Sequence, residues 1–401
     1  MCVTLSSMTK TVIDSAAPAG ADRTEATGPA VALRAGFIGA GFMTTVHSRA
    51  ARAARAELAG VASSSSGSAE RAALELGLAR SYSSVDALLA DDAIDIIHVC
   101  TPNTTHARFA LAALDAGKHV VCEKPLATSV VDAAALVRRA EATGLTATVP
   151  FVYRFHPMVR EARARVQAGE TGRVLTINGG YLQDWLAEPH ADDWRVDADL
   201  GGPSRAFADI GSHLVDLLEF ITADRIVRLN ATTRTVYGNR SNNHDIATED
   251  LVALVVEMRG GAVGTLLISQ VAPGRKNSLV LEIAGTEQSI RFDQERPDEL
   301  WLGRRVGSQH ILRDPAELAP DAARLSTVPS GHPMGYQDAF NAFVADSYAD
   351  AAANSLAAST GVESGCSPEG LPTFADGLRA VRVTAAVLES AASGAWVEVL
   401  S

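Results

Sequence analysis

The chain lacks any run of eighteen consecutive apolar residues, so no helix is expected to span a membrane. It also lacks a charged start followed by an apolar run, so no secretory signal is expected. Cysteine is scarce: the four residues Cys2, Cys100, Cys122 and Cys366 show no metal-ligand spacing. Cys100 and Cys122 fall at the ends of apolar strands and read as buried free thiols, which favours a reducing, cytoplasmic setting. An excess of positive charge is missing too. The 35 Lys and Arg face 47 Asp and Glu, and the net charge of −12 argues against nucleic acid or an anionic membrane as partner. A small anionic ligand stays compatible, because a local pocket can be positive within an acidic protein. The His, Asp and Glu spacing suggests no metal centre.

What is present reads as a soluble globular enzyme, with 47% hydrophobic and 20% charged residues. A length of 401 residues suits two domains with a tail. Residues 1–30 are rich in Ala, Ser, Thr, Gly and Pro without apolar periodicity, and are expected to be a disordered extension in which Met1 or Met8 is the start. From Val31 to Pro150 short apolar strands alternate with helical segments, the pattern of a parallel α/β sheet covered on both faces. Residues 151–370 read as a second, α+β domain. Its strand candidates, from Arg173–Tyr181 to Ser289–Phe292, alternate in polarity and are joined by glycine-containing turns, which predicts a large, mostly antiparallel open sheet. Residues 371–401 read as a helix and strand folding back on the body. The polar segment Tyr237–Asp245 is expected to be a mobile flap or a long hairpin connection.

Three motifs carry chemistry. Gly39-x-Gly41 follows a strand and opens a helix; Gly39 permits the tight turn and Gly41 lets backbone approach a pyrophosphate at the helix N-terminus. The third position is Thr44 rather than glycine or alanine. The next strand runs into Ser63 and Ser64 with no carboxylate for the ribose hydroxyls, and Arg71 is near in sequence; this leans toward NADP over NAD. Second, Glu123-Lys124-Pro125 places a cation at the carboxyl end of the apolar strand Gly117–Cys122, the edge at which open α/β sheets bind ligands. Third, Asp209, His213 and Asp216 fall at i, i+4 and i+7 and share one face if helical. His47 and His119 read as structural or helix-surface histidines.

With these motifs, Cys100-Thr-Pro-Asn103 with His106, Tyr153-Arg-Phe155-x-Pro157 and Gly201-Gly202 complete a pattern over about Leu33–Asp216 that resembles the glucose–fructose oxidoreductase / inositol dehydrogenase / MocA family. The resemblance implies a Rossmann domain, NAD(P)-dependent hydride transfer with a secondary hydroxyl or ketone of a sugar or cyclitol, and a homo-oligomer, dimer or tetramer, built through the open sheet. It implies Lys124, Asp209 and His213 as the catalytic group. His213 would take the hydroxyl proton, Lys124 would stabilise alkoxide character, and Asp209 would orient the lysine or the imidazole. It implies cofactor contacts from Gly39, Gly41, Phe42, Met43, Ser63, Ser64, Thr101, Pro102, Asn103, His106, Glu123 and Lys124. Substrate contacts are expected from Tyr153, Arg154, Gln183, Asp184, Trp185, Trp194, Arg195 and His213, with His332 and Tyr336 as late contributors. The alternatives are redox-assisted glycoside cleavage by the same site, or a non-catalytic nucleotide sensor; the intact Lys124, Asp209 and His213 speak against a sensor.

Overall fold

Six short strands with apolar interiors build the first sheet: β1 (Arg34–Ile38), β2 (Glu57–Ala62), β3 (Arg80–Ser81), β4 (Ile96–Val99), β5 (His119–Cys122) and β6 (Ala147–Thr148). Every residue of β4 and β5 is buried, as strands covered on both faces require. All pair in parallel, in the order β3-β2-β1-β4-β5-β6. The order reverses between β1 and β4, and the crevice opens at the carboxyl ends there. This computed structural model describes residues 32–361 and 367–400; the expected N-terminal extension with Met8 and Cys2, and also Cys366, lie outside the described residues. Cys100 and Cys122 are buried free thiols. No described helix is long and apolar enough to cross a membrane.

Local chemistry sets the helix ends. Helix Val130–Thr143 starts where the Ser129 hydroxyl accepts from the Asp132 N–H, and it stops at Gly144, whose φ of 66° is left-handed.

The second sheet has nine strands: β7 (Val174–Leu182), β8 (Ile226–Arg234), β9 (Leu251–Met258), β10 (Val263–Ser269), β11 (Ser278–Gly285), β12 (Ser289–Asp293), β13 (Glu299–Arg304), β14 (Gly307–Leu312) and β15 (Val397–Glu398). Their order is β14-β13-β12-β11-β7-β10-β9-β8-β15, antiparallel except for the β7–β10 pair. The period-two alternation has its expected result: Val252, Leu254 and Val256 face the core, while Val263 and Leu267 on β10 are exposed on the other face. β13 and β14 went unassigned in the sequence, whereas β15 is the strand expected in the C-terminal segment.

Two long helices join the layers. Tyr336–Thr360, inside the segment expected as the substrate domain, instead packs Phe340, Phe343 and Val344 against Phe37 and Val46 of the first domain. Phe374–Ser393 places Phe374, Leu378 and Val381 in the first core and Val383, Ala386 and Val387 in the second. The Tyr237–Asp245 segment is the β8–β9 connection, and it is pinned: the buried Arg240 donates to the carbonyls of Leu186, Glu188 and Ala191 and to Asp250.

Candidate active site

At β1 the chain turns through Gly39, with φ of 112°. A Cβ there would lie 2.4 Å from the Cys100 carbonyl oxygen, so only glycine fits between the two strand ends. Gly41 precedes helix Phe42–Ala53, and no side chain caps that helix. A Cβ on Gly41 would meet no atom within 4 Å; it would project into the cavity. Uncapped N–H groups beside this space form the cradle a pyrophosphate needs, so the residues present fit a dinucleotide.

The cavity measures about 990 Å³. The first domain contributes the 39–43 turn, Ser63, Ser64, Thr101, Pro102, Asn103, His106, Glu123 and Lys124 to its walls. The second contributes Tyr153, Tyr181, Gln183, Trp194, Arg195, Asp209, His213, Asn277 and Tyr336. One crevice therefore holds every residue expected at the cofactor together with most of those expected at the substrate. Two of the former also tie loops: His106 sets its ring nitrogens 2.8 Å from the carbonyls of Pro125 and Thr101, and the Asn103 amide donates to the Gly201 carbonyl at 2.9 Å.

Lys124 is the hinge of this arrangement. Its Nζ donates to Asp209 Oδ1 at 2.6 Å and to the Asp209 carbonyl at 2.9 Å. An ammonium has three protons, so one is left for a ligand in the cavity. Asp209 is held further by the Gln270 amide, 2.8 Å from Oδ2, and by Arg195 at 3.7 Å. Burial opposes its charge, but Lys124 and then Arg195 outweigh burial and bring Asp209 down to about 2. Asp209 thus orients the lysine, one of the two expected partners.

His213 sits one wide turn further on. Phe207–Gly211 is a π-helical turn, continued by the α-helix Ser212–Thr222. The buried Glu249 carboxylate accepts the N–H groups of Arg205 and Phe207 and fixes the turn's start. The His213 ring stands edge-on to Phe151 and Tyr153, and its Nδ1 has no hydrogen-bond partner among the described residues. Burial, then the Lys124 cation, holds its pKa down to about 3, so the imidazole is neutral near neutrality.

Asp216, expected on the same face, goes elsewhere, and so does Arg154. The buried Arg154 guanidinium binds Asp216 through both oxygens and Asp376 at 2.8 Å, and stacks over Phe220. It is an internal cross-link between helices, not a substrate contact, because a buried guanidinium needs its counter-ions close. Burial pushes Asp216 up to about 6 even against Arg154. Arg154→Leu is expected to lower stability by about 3–5 kcal/mol, since both carboxylates then lose their counter-charge. Denaturant unfolding checks this; a loss under about 1 kcal/mol would contradict it.

Asp184 and Trp185 also lie outside the cavity walls. Asp184 accepts from Lys276 and from the Gly274 N–H, while Trp185 donates to Gln183. His332 stays outside as well, whereas Tyr336 lines the cavity. Residues not foreseen are Asn277, Tyr181 and Gln270. Asn277 accepts from Tyr181 and Gln183 and donates to Tyr153, forming a polar floor. Nothing in local spacing marks these three, since strand pairing alone brings them together. Among the described residues no group of three His, Cys, Asp or Glu could hold a metal ion.

Known families and structures match this arrangement. Residues 33–151 match the family described as "Oxidoreductase family, NAD-binding Rossmann fold", and residues 159–291 match the "GFO/IDH/MocA C-terminal domain". The levoglucosan dehydrogenase of Pseudarthrobacter phenanthrenivorans is 30% identical over 400 residues, covering 92% of this chain and 98% of the relative. The chain belongs to the Gfo/Idh/MocA oxidoreductase family. Within the family, the crystal structure of an oxidoreductase domain protein from Kribbella flavida superposes with a TM-score of 0.84 at 35% identity, over 92% of this chain and all (100%) of that one. Levoglucosan dehydrogenase in complex with NADH and levoglucosan does so with a TM-score of 0.84 at 30% identity, over 92% and 100% of the two chains.

Proposed function

We propose that this chain is an NAD(P)-dependent dehydrogenase or reductase acting on a secondary hydroxyl or ketone of a cyclic polyol: a sugar, anhydrosugar or cyclitol. The observation that carries the reading is the meeting of Lys124, Asp209 and His213 in the crevice that the Gly39–Met43 turn opens. When bound, the nicotinamide accepts or returns the hydride. The chain supplies the rest. Neutral His213 takes the hydroxyl proton as the hydride leaves, and the spare Lys124 proton stabilises the developing charge on the same oxygen. Asp209 holds the lysine in place. Trp194 offers an apolar face to a sugar ring; Tyr153, Gln183, Asn277 and Arg195 offer hydrogen bonds to its hydroxyls. The full-length match to a levoglucosan dehydrogenase supports the same substrate class.

NADP is the favoured cofactor in this reading, since Ser63, Ser64 and Ser68 line the cavity beyond β2 without a carboxylate that would repel a 2′-phosphate. Residues 31–150 hold the cofactor and 151–370 the substrate, with 371–401 packing back on both. The protein works in the cytoplasm, in keeping with its two buried free thiols. Copies associate through the outer face of the nine-stranded sheet, where Leu175, Val263 and Leu267 are exposed.

A spectrophotometric screen of sugars, anhydrosugars, inositols and glycosides with NAD and NADP tests the reading. Reduced cofactor is expected with at least one free cyclic polyol, faster with NADP. A clear preference for NAD would overturn the cofactor assignment. Release of an aglycone without net redox change would move the assignment to glycoside cleavage.

A further inference from the structure

The first domain contains a buried hydrogen-bonded chain that the chemistry above does not use. His47, on helix Phe42–Ala53, and His98, on β4, are both fully buried, and their Nδ1 atoms lie 2.8 Å apart. His47 Nε2 is 2.9 Å from Glu123 Oε1, and His98 Nε2 is 2.7 Å from the Tyr348 hydroxyl. Glu123 Oε2 accepts the backbone N–H of Lys124 at 3.1 Å. Tyr348 belongs to the long helix Tyr336–Thr360, so the chain of contacts crosses the domain from that helix to the foot of the catalytic lysine.

For a neutral His47, the protons in this chain follow by elimination. Two facing ring nitrogens hold one proton between them; two protons or none would repel. The Tyr348 hydroxyl has no other acceptor among the described residues, and burial keeps it protonated, so it donates to His98 Nε2. Burial also keeps His98 neutral, which places its single proton on Nδ1, donating to His47. His47 then donates from Nε2 to Glu123. The opposite direction would strand the Tyr348 proton and leave a bare nitrogen facing a carboxylate. Every donor is used once, and the chain ends on Glu123.

Burial alone would raise the Glu123 pKa; the hydrogen bond from His47 reverses this and holds it low. Anchored there, Glu123 fixes the Lys124 backbone from one side while Asp209 fixes its Nζ from the other. We propose that His47, His98 and Tyr348 are positioning residues that hold Glu123 as a directed hydrogen-bond acceptor beneath Lys124, so that the lysine is aimed from within the first domain as well as by Asp209. The proposal rests on the functional reading above for its kinetic consequence, but not for its proton assignment.

Two measurements on the full chain test it. Ring nitrogen shifts from ¹⁵N-histidine labelling are expected to show His98 as the Nδ1–H form and His47 as the Nε2–H form; the opposite tautomers, or a doubly protonated His47, would overturn the assignment. In kinetics, His98→Phe keeps the stacking volume beside Phe37 but removes the donor, whereas His98→Asn keeps an amide nitrogen where Nδ1 was. His98→Phe is expected to lower kcat about tenfold with the sugar KM within about twofold, and His98→Asn to recover to within about threefold of wild type. Equal losses in both variants, or no loss in His98→Phe, would reduce the chain to packing. Should His98→Phe not fold, the pair His47→Leu and His47→Gln makes the same comparison, because the glutamine amide nitrogen sits where Nε2 was. If the wild-type chain oxidises no cyclic polyol, the functional reading fails, and the ring tautomers alone decide the relay.

Discussion

Replacing Lys124 by methionine is expected to lower kcat by about 10²–10³-fold, the cost of removing one donor aimed at developing negative charge. The argument rests on how the ammonium is held. Two of its protons are engaged by Asp209, so the third has a fixed direction into the cavity. Methionine keeps the length and apolar stem and removes only the charge and donors. Asp209 keeps Gln270 and Arg195 as partners and remains anchored. Steady-state kinetics on the polyol identified by the screen, beside a thermal unfolding scan showing an intact fold, checks the outcome. A variant within about threefold of wild-type kcat would remove Lys124 from the reaction.

The second large effect belongs to His213. His213→Ala is expected to lower kcat by about 10²–10⁴-fold, the range for losing a positioned base, while binding of the reduced nicotinamide cofactor followed by fluorescence is retained. The pH dependence separates this role from a structural one. Burial and the Lys124 cation hold the imidazole to about 3, so it stays neutral down to acid pH. For polyol oxidation, kcat/KM should therefore show no acid limb from this group near its ordinary value of 6.5. The sign of the coupling gives a further check. Removing the Lys124 cation favours the imidazolium, so in Lys124→Met the residual activity should lose its acid side at higher pH than in wild type. A wild-type limb near 6.5, unmoved by Lys124→Met, would contradict the burial argument.

Much of this site was legible because its parts are local. The turn at Gly39, the lysine after β5 and the Asp209–His213 pair each lie within a few residues of a strand or helix end. Strand–helix alternation then forces those ends to one edge of a parallel sheet. The same reasoning misplaced Arg154, Asp184 and Trp185. Adjacency to a site residue says nothing about which way a side chain turns, and buried Arg154 turns toward the carboxylates that neutralise it, Asp216 and Asp376. It also passed over helix Tyr336–Thr360, whose alanine-rich pattern does not say which layer it covers.

Apolar periodicity and glycine placement were enough for the two-sheet architecture, since these follow from local geometry and chirality; the family was legible in its motifs, and the roles expected of Lys124, Asp209 and His213 came with that resemblance. Only the folded chain decided the partners of each charge: Asp209 with Lys124, Asp216 with Arg154, and the histidine chain beneath Glu123. A buried charge pairs with whatever opposite group the packing of distant segments brings within hydrogen-bond reach, and that distance is not written in sequence spacing.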